Sequence, residues 1–422
     1  MNNYIELGNL IDTISKTHKF DKDELIFLNT SDVLEGKILI DNYSKVSTLK
    51  GQAKKTIQNG DILYSEIRPK NRRYAYVRNL KNPEDYVVST KLMVLRRKTE
   101  DLDNDYLYHF LTFESTINYL QRKAENRIGS FPQITFNVLK QIKIWLPELS
   151  IQKKIAKILS DIDAKIEVNN KINQKLEAMA KTLYDYWFVQ FEFPDANGKP
   201  YKSMGGKMIF NEELNREIPE GWEDGVLSDI AKITMGQSPS GSSYNEDGIG
   251  TVFYQGSTDF GSRFPTVRKY TTEPSRMADE NDILLSVRAP VGTLNQAMES
   301  CCIGRGVAAL SEKEGSISFL WSQMEYFKQI FDRRNSSGTT FGSITKDDLF
   351  NLKLCIPNED VLEQFKKIAD PFHDKIVVNS KENQKLSALR DWLLPMLMNG
   401  QVTVGEVEQE LGMVTGERES YK

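Results

Sequence analysis

Residues 61–69 read DILYSEIRP, and residues 282–290 read DILLSVRAP. Each run begins with an aspartate directly after a turn-prone pair, such as Asn59-Gly60 in the first copy, continues with three apolar residues and a serine, and ends at a proline. A turn followed by such a run predicts a short β-strand in both places. The second run lies 221 positions after the first, so the sequence contains a repeated structural unit.

Two further blocks follow in the same order, each displaced by 210 positions. Residues 134–147 (ITFNVLKQIKIWLP) match residues 344–357 (ITKDDLFNLKLCIP). Residues 165–176 (KIEVNNKINQKL) match residues 375–386 (KIVVNSKENQKL). Three matched blocks in one order indicate that the chain is a tandem duplication of one unit.

Each unit begins with a turn-rich domain that mixes strands and helices. Residues 140–146 and 351–356 alternate apolar with polar side chains and end at a proline, as a half-buried strand does. Residues 105–121 and 318–333 have the composition and spacing of helices. The expected fold class is therefore α+β, with two similar mixed α/β domains.

A long helix is predicted after each domain, over residues 150–188 and 359–398. Apolar residues and asparagines recur there at steps of four and three, the pattern of a coiled-coil seam. The predicted seam consists of Ile162, Ile166, Asn169, Asn173, Leu176, Ala180 and Leu183 in the first copy and Ile376, Asn379, Asn383, Leu386 and Leu393 in the second. We expect the helices, the first ~55 Å long, to form an antiparallel coiled coil that separates the domains, with its asparagines fixing the register. The alternative is that Ile172 replaces Asn173 in the seam and the asparagines face water.

Length and composition limit the class of protein. The 422 residues allow two or three domains, and 39% hydrophobic and 27% charged residues are typical of a folded globular chain. No apolar run approaches the ~20 residues that cross a bilayer, and acidic residues interrupt the N-terminal apolar stretch, which argues against a signal peptide. Three cysteines and three histidines suggest neither a disulfide framework nor a zinc site. We expect a cytoplasmic protein without a metal.

The sequence lacks the motifs of common DNA-modifying enzymes. It has no Asn/Asp-Pro-Pro-aromatic motif of adenine methyltransferases, no G-x-x-x-x-G-K-[ST] phosphate loop and no nuclease motif with suitable carboxylate spacing. Gly304-Arg305-Gly306 lacks a following glycine and is interpreted as a turn. Structural roles are expected for Asp163, which should be solvated, and for His18, His109 and His373. We predict a binding protein with no catalytic residues and no bound cofactor.

Positive charge is concentrated in one part of the chain, although the net charge is −4. Residues 45–98 hold fourteen Lys and Arg against four acidic residues, a local charge of +10. Such a concentration suits a nucleic-acid partner. A solvated Lys-rich surface is the alternative interpretation.

The predicted DNA contacts are turn-prone segments that combine cations, amides and aromatic residues, because Arg and Lys neutralise phosphates while Arg, Asn and Gln bond to base edges. In the first copy they are Arg68, Lys70, Arg72, Arg73, Tyr74, Arg122, Lys123, Arg127, Ser130 and Gln133. In the second copy they are Gln255, Arg263, Arg288, Arg333, Arg334, Asn335, Thr339 and Thr340. The scaffold segments of the two copies resemble one another and these loops do not, as expected for domains that bind unlike half-sites.

Several short motifs carry a resemblance to a known family. They are IPEGW at residues 218–222, WFVQFEFP at 187–194, YKSMGGKM at 201–208, and NQKL at 173–176 and 383–386. With the duplication, they make the chain resemble the specificity subunits of Type I restriction-modification systems over essentially its whole length.

The resemblance implies a set of partners. Such a subunit binds two methyltransferase subunits through its helices, and the assembly methylates adenine at N6 in a bipartite, asymmetric site of double-stranded DNA. Added restriction subunits, which contain the motor and nuclease, cut unmodified DNA. Each target-recognition domain binds one half-site, and the helices set the spacer. S-adenosylmethionine would belong to the methyltransferase partner, and no membrane partner is expected.

The expected domains are target-recognition domains at residues 1–149 and 226–358, helical regions at 150–188 and 359–398, a linker at 189–225 and an acidic tail at 399–422. Two departures stand out in the second helical region. It is read as three residues shorter between Ile368-Ala369 and Lys375, and Pro371 should kink or restart its helix. A coiled-coil scaffold whose basic domains bind RNA or protein is the alternative function.

Overall fold

The computed structural model describes residues 4–49, 51–126, 132–313, 316–336 and 343–407; within these ranges the side chains of residues 330 and 332–336 are not described. The chain forms two compact units, Met1–Ile166 with Lys385–Lys422, and Glu167–Gln384. In the described ranges, no helix combines the length and the apolar character needed to span a membrane.

The first half of the chain has twelve strands and five α-helices in its described residues. The strands are β1 (Tyr4–Glu6), β2 (Ile11–Thr13), β3 (Glu24–Leu28), β4 (Val33–Leu34), β5 (Lys37–Ile38), β6 (Ser44–Lys45), β7 (Ala53–Thr56), β8 (Ile62–Ser65), β9 (Tyr74–Tyr76), β10 (Tyr86–Ser89), β11 (Leu92–Arg97) and β12 (Lys143–Trp145). The helices are α1 (Leu7–Leu10), α2 (Asn104–Thr112), α3 (Glu114–Glu125), α4 (Phe136–Leu139) and α5 (Leu149–Tyr184), the last followed by a π-helical turn (Asp185–Val189). Short 3₁₀ turns span Thr30–Asp32, Val46–Thr48, Pro69–Asn71 and Pro83–Asp85.

The second half adds thirteen strands, four α-helices and a helical segment at 404–407 in its described residues. The strands are β13 (Met208–Asn211), β14 (Arg216–Pro219), β15 (Glu223–Val226), β16 (Ala231–Met235), β17 (Tyr244–Asn245), β18 (Thr251–Tyr254), β19 (Tyr270–Thr271), β20 (Met277–Ala278), β21 (Ile283–Ser286), β22 (Leu294–Gln296), β23 (Cys301–Ile303), β24 (Val307–Glu312) and β25 (Lys353–Ile356). The helices are α6 (Leu227–Ile230), α7 (Ile317–Ser336), α8 (Lys346–Phe350) and α9 (Glu359–Met398), with 3₁₀ turns at Gly241–Ser243 and Ser257–Asp259.

The duplication is visible in the sheets. A four-stranded sheet has the order β2-β11-β8-β9 in the first domain and β16-β24-β21-β22 in the second. A second sheet contains one parallel strand pair in each domain, β3 with β10 and β18 with β23. The first and last strands of each domain also pair, β1 with β12 and β15 with β25. Both domains therefore share the four-stranded sheet and these pairings, while their second sheets have four and five strands; the shared part confirms the predicted α+β duplication.

The two aspartates that open the quoted runs have the same role in both domains. Asp61 Oδ2 accepts a hydrogen bond of 2.8 Å from the Gln58 amide, and Asp282 Oδ2 accepts one of 2.8 Å from the Asp279 amide. Between them the chain turns with positive φ, at Gly60 (+95°) and at Asn281 (+73°), a conformation that Gly and Asn tolerate best. The predicted strands β8 and β21 follow directly, which confirms the turn-strand interpretation.

Apolar side chains on both faces of these sheets form the cores. In the first unit, the largest cluster joins the sheet to α2, α3 and the start of α5, and includes Leu7, Tyr106 and Leu159. In the second unit, Phe188, Trp222 and Phe365 anchor an aromatic cluster around the π-helical turn. The segment 189–225, expected to be a linker, is thus folded: it contains the β13–β14 hairpin and contributes buried Phe191, Phe193, Ile218 and Trp222.

The long helices pair antiparallel within each unit. In the second unit, Asn169 Nδ2 donates to Asn383 Oδ1 at 2.9 Å, and Asn379 Nδ2 donates to Asn173 Oδ1 at 2.9 Å. Ile172 is 36% exposed whereas Asn173 is 8% exposed, so the structure contradicts the alternative in which Ile172 occupies the seam. Ile162, Asn169, Asn173, Ile376, Asn379 and Leu393 are buried, and Ile166, Leu176, Ala180, Leu183, Asn383 and Leu386 are half-buried.

In the first unit, apolar and charged contacts hold the same two helices, α5 and α9, together. Ile155, Leu159 and Ile162 belong to one buried cluster with Leu393 and Leu397. The side chain of Asp163 is 40% exposed, in line with its predicted solvation, and its Oδ1 also accepts a hydrogen bond of 2.9 Å from Arg390 Nη1.

Three local predictions are corrected by the structure. Pro371 does not restart the second helix, since α9 is helical from Glu359 to Met398; position 371 lies in its fourth turn, where proline removes one backbone hydrogen bond, and the predicted kink stays a prediction. The second helix is not three residues shorter, because α5 and α9 begin 210 positions apart, the same displacement as the seams that follow. The helix expected at 105–121 is two helices, α2 and α3, separated at Phe113.

Candidate nucleic-acid interface

The two basic segments predicted in the first domain meet at the end of β8. Ile67 forms an antiparallel bridge with Gln133. The Arg68 amide donates to the Pro132 carbonyl at 3.0 Å, and the Ile134 amide donates to the Glu66 carbonyl at 2.7 Å. Residues 66–73, 121–123 and 132–134 therefore form one surface, the first loop cluster.

Exposed cations cover this cluster. Arg68, Lys70, Arg122 and Lys123 are exposed, and among the described residues none of them forms an ion pair. Arg68 holds a left-handed conformation, with φ +43°, which costs an L residue about 1–2 kcal/mol. Backbone strain of this kind is concentrated at binding sites. The Lys70 amide donates to Gln121 Oε1 at 3.1 Å, so α3 fixes the loop.

Three other predicted contacts support the cluster rather than presenting free side chains. Arg72 forms an ion pair with Glu114, and Arg73 Nη1 donates to the Ser31 carbonyl at 3.0 Å. Tyr74 is buried, stacks on Tyr64 at 5.8 Å between ring centroids, and has its pKa raised by burial. We assign these residues to the scaffold, because their polar groups or rings already have protein partners.

The second domain builds the equivalent surface from different residues. Arg288 forms an antiparallel bridge with Ser343, and the Ile344 amide donates to the Val287 carbonyl at 2.8 Å. Ile344 lies 210 positions after Ile134, and Val287 lies 221 positions after Glu66, which are the two displacements of the sequence repeat. The Val287 amide also donates to Gly306 at 3.0 Å, and the Gly306 amide to Gln255 at 3.2 Å. Residues 255–256, 287–288, 304–306 and 343–344 form the second loop cluster.

Arg263 does not fit its predicted role. Its side chain is 3% exposed, and its guanidinium lies 3.6 Å from the centroid of Trp321. Nε donates to Gln296 Oε1 at 3.0 Å, and Nη2 lies 2.8 Å from Nδ1 of His373. Burial lowers the pKa of Arg263 to about 10, and burial with the nearby guanidinium lowers the pKa of His373 to about 3. A neutral imidazole can accept this bond, so Arg263 ties its loop to α9 and is not presented to DNA.

The remaining predicted contacts are exposed, half-buried or outside the described residues. Gln255 and Arg288 are exposed, and Gln133 is half-buried at its bridge. Arg127, Ser130, Thr339 and Thr340 lie outside the described residues, and the side chains of Arg333, Arg334 and Asn335, at the end of α7, are also outside them.

Comparison with known proteins shows which protein family has this duplicated architecture. The family model described as Type I restriction modification DNA specificity domain matches residues 3–178 and 219–388. It therefore matches the chain twice, once for each copy of the duplication. The chain belongs to the family of Type I restriction-modification specificity subunits.

Relatives from two organisms match almost the whole specificity subunit. The Type I restriction enzyme HindI specificity subunit of Haemophilus influenzae is 30% identical, over 94% of this chain and 98% of its own. The putative Type I restriction enzyme MjaX specificity subunit of Methanocaldococcus jannaschii is 31% identical, over 94% and 93%. The crystal structure of a Type I restriction-modification system S subunit from M. genitalium covers 94% of this chain and 95% of its own, with a TM-score of 0.55 and 15% identity, a likeness of fold.

Sequence reasoning missed two arginines of this specificity subunit. Arg276 and Arg305 are exposed and join the second loop cluster, because the Ile303 amide donates to the Arg276 carbonyl at 2.9 Å and Arg305 lies between Ile303 and Gly306. Neither stands in a basic run. The Gly304-Arg305-Gly306 turn indicated only that Arg305 lies in a turn, and the sequence does not show which segments that turn contacts.

Proposed function

We propose that this chain is the DNA sequence-recognition subunit of a Type I restriction-modification complex, in which each domain binds one half of a bipartite, asymmetric site. The observation that carries this proposal is the pair of loop clusters. One scaffold, with the same strand order and bridges at 221 and 210 positions, presents Arg68, Lys70 and Gln133 in the first copy and Arg288 and Gln255 in the second. Equal scaffolds with unequal side chains suit the recognition of two different sequences.

The exposed cations provide the affinity of this interface. Phosphate contacts by Lys and Arg release counterions and supply most of the sequence-independent binding. Amide and guanidinium groups supply paired hydrogen bonds to base edges. The clusters contain both types of group, and the strained Arg68 is held in place before DNA binds, which lowers the entropic cost of the contact.

We propose that the helices set the spacer between half-sites and bind two methyltransferase subunits. Val168 and Val378, which are equivalent at a displacement of 210, are 50% and 57% exposed. Apolar residues at matched positions on two helices suit two copies of one partner. S-adenosylmethionine and the catalytic residues are assigned to the methyltransferase, and restriction subunits are the further partners.

The test is N6-methyladenine mapping in a host that carries this gene with its methyltransferase partner, compared with a host that lacks the gene. We expect one bipartite motif, with a constant spacer, to be methylated only in the first host. Purified complex should bind that motif with a log affinity that falls against log salt by about 0.9 for each phosphate contact. Equal affinity for all duplexes, or tighter binding to RNA, would contradict the proposal.

A further inference from the structure

Five strand ends converge in the second domain. Tyr254, the last residue of β18, is in register with Ile303 of β23, and Ser286 of β21 is in register with Val307 of β24. Met235, at the end of β16, is in register with Ala308. One end of both sheets therefore holds five neighbouring segments. They are the residues that follow β16, β18, β21 and β23 and the residue that precedes β20.

Three glycines allow these backbone segments to touch. A Cβ at Gly236 would lie 2.2 Å from the Gly304 carbonyl oxygen, and one at Gly306 would lie 2.8 Å from the Gln255 carbonyl oxygen. A Cβ at Gly304 would lie 3.0 Å from Gln255 Cα. The Gly304 amide donates to Tyr254 at 2.9 Å. The backbone of Gln255 is therefore in close contact with the neighbouring backbone segments, which restricts its position.

The side chain of Gln255 is fixed as well. It is exposed, and its Nε2 donates to Ser238 Oγ at 2.8 Å. Ser238 lies three residues after the end of β16, and its Oγ also accepts a weak hydrogen bond of 3.4 Å from the Arg305 amide. Within the part of the chain that the structure describes, one N–H and the carbonyl oxygen of the Gln255 amide have no hydrogen-bond partner and can bind a ligand. A donor beside an acceptor is the pattern that pairs with N6 and N7 of adenine in the major groove.

Charge is distributed unequally between the two ends of these strands. At the end that carries Gln255, the exposed cations are Arg276, Arg288 and Arg305, and among the described residues they form no ion pair. At the other end, where β21 and β23 begin, the exposed acidic residues outnumber the exposed cations: they are Asp279, Glu280, Glu299 and Glu312 against Lys232 and Lys313. A polyanion is therefore attracted to the end at which Gln255 stands.

We propose that Gln255, positioned by Ser238, is a specificity-determining residue of the second domain and contacts a base pair in its half-site, while Arg276 and Arg305 bind flanking phosphates. The proposal rests on the proposed function. It names Gln255 as the contact, Ser238 as a positioning residue and the two arginines as anchors that carry no sequence information.

The experiment uses the full-length chain assembled with its methyltransferase subunits, after the wild-type motif has been mapped. Binding of duplexes substituted at each base pair is measured for the wild type, Gln255→Ala, Gln255→Glu, Ser238→Ala and Ser238→Thr. Gln255→Ala should lose roughly 5- to 150-fold discrimination at one base pair of the second half-site, with the first half-site unchanged. Gln255→Glu should shift preference at that pair towards cytosine, whose N4 donates.

The positioning role has its own readout. Ser238→Ala should reduce discrimination at the same base pair without changing the salt slope, and Ser238→Thr, which keeps the hydroxyl, should restore it. Arg276→Ala and Arg305→Ala should each reduce the salt slope by about 0.9 and weaken binding equally for all sequences. Lys232→Ala removes an exposed cation at the start of β16 and should leave the slope unchanged, which makes it the matched control.

The outcomes separate this inference from the proposed function. If Gln255→Ala binds DNA with unchanged discrimination at every base pair, or loses affinity equally for all sequences, the assignment of Gln255 is overturned while the subunit's role stands. If the wild-type complex itself shows no sequence preference, the proposed function fails. Circular dichroism melting curves identify any variant that loses its fold, and the Gln255→Glu shift in preference cannot arise from unfolding.

Discussion

Replacing the asparagines of the helix pair singly and together should change stability in opposite ways. Asn379 is 1% exposed and Asn173 is 8% exposed, and the two amides are joined at 2.9 Å. In Asn379→Leu, the Asn173 carbonyl oxygen stays buried without its donor, which costs about 1–3 kcal/mol. Asn173 Nδ2 keeps its bond of 3.1 Å to Ser380, so we expect the lower half of that range.

The double variant Asn173→Leu/Asn379→Leu removes both polar partners. An apolar pair of similar size is close to neutral or stabilising in such a place. The double-mutant cycle should therefore give a coupling of at least ~1 kcal/mol. Because leucines do not fix the register of a coiled coil, we also expect faster amide exchange over residues 167–184 in the double variant than its stability alone would give.

The assay is urea unfolding followed by far-ultraviolet circular dichroism, with hydrogen exchange on the same samples. Lys175→Leu, at an exposed position of the same helix, is the control and should change the free energy of unfolding by less than ~0.5 kcal/mol. If the double variant loses the sum of the two single losses within ~0.5 kcal/mol, the asparagines are not paired as described and the reasoning is refuted.

Three further predictions concern the interface, pH and spacing. Arg68→Ala should weaken DNA binding by about 1–3 kcal/mol and reduce sequence discrimination only at the half-site of the first domain, measured with base-substituted duplexes. Lys81→Ala, beyond the turn at the other end of β8, is the control and should change neither quantity. An equal effect on both half-sites would disprove the two-domain assignment. Burial lowers the pKa of His109 from 6.5 to about 4, so the unfolded chain takes up a proton that the folded chain does not, and stability should fall by about 3 kcal/mol as pH falls from 6.5 to 4. His109→Gln should lack this part of the pH dependence, measured by urea titration at each pH, and an unchanged slope would contradict it. Four residues inserted after Asn173 lengthen the helix by about one turn (~6 Å) and should change the length of the spacer in the methylated motif. If the half-sites change while the spacer keeps its length, the helices do not determine the spacer.

The repeat made much of the fold predictable. The displacement of 221 placed equivalent strands at β8 and β21, and the displacement of 210 placed both long helices and their asparagines. These features depend on local pattern: a turn residue with positive φ before an apolar run, and a seam that recurs every three or four residues. The restart predicted at Pro371 was wrong, because a single missing N–H does not end a helix that is held by packing along its length.

The interface was predictable only in part, because a sequence shows composition but not which side chains already have partners. Arg68, Lys70 and Arg72 stand in one basic segment, yet Arg72 is paired with Glu114, forty-two positions away, and the other two are free among the described residues. Arg263 appeared equivalent to Arg288 in its polar loop, and burial against Trp321 separates them.

The sequence by itself determined that two copies of one domain and one helix follow each other, because secondary structure and helix pairing are encoded in periodic, local patterns that survive divergence. The tertiary structure alone decided which cations face solvent and which distant loops meet, since that depends on strand register. Arg276 and Arg305 come beside Gln255 only because β20, β23 and β18 are hydrogen-bonded neighbours. Contacts between residues far apart in the chain depend on the whole packed domain, and no local pattern records them.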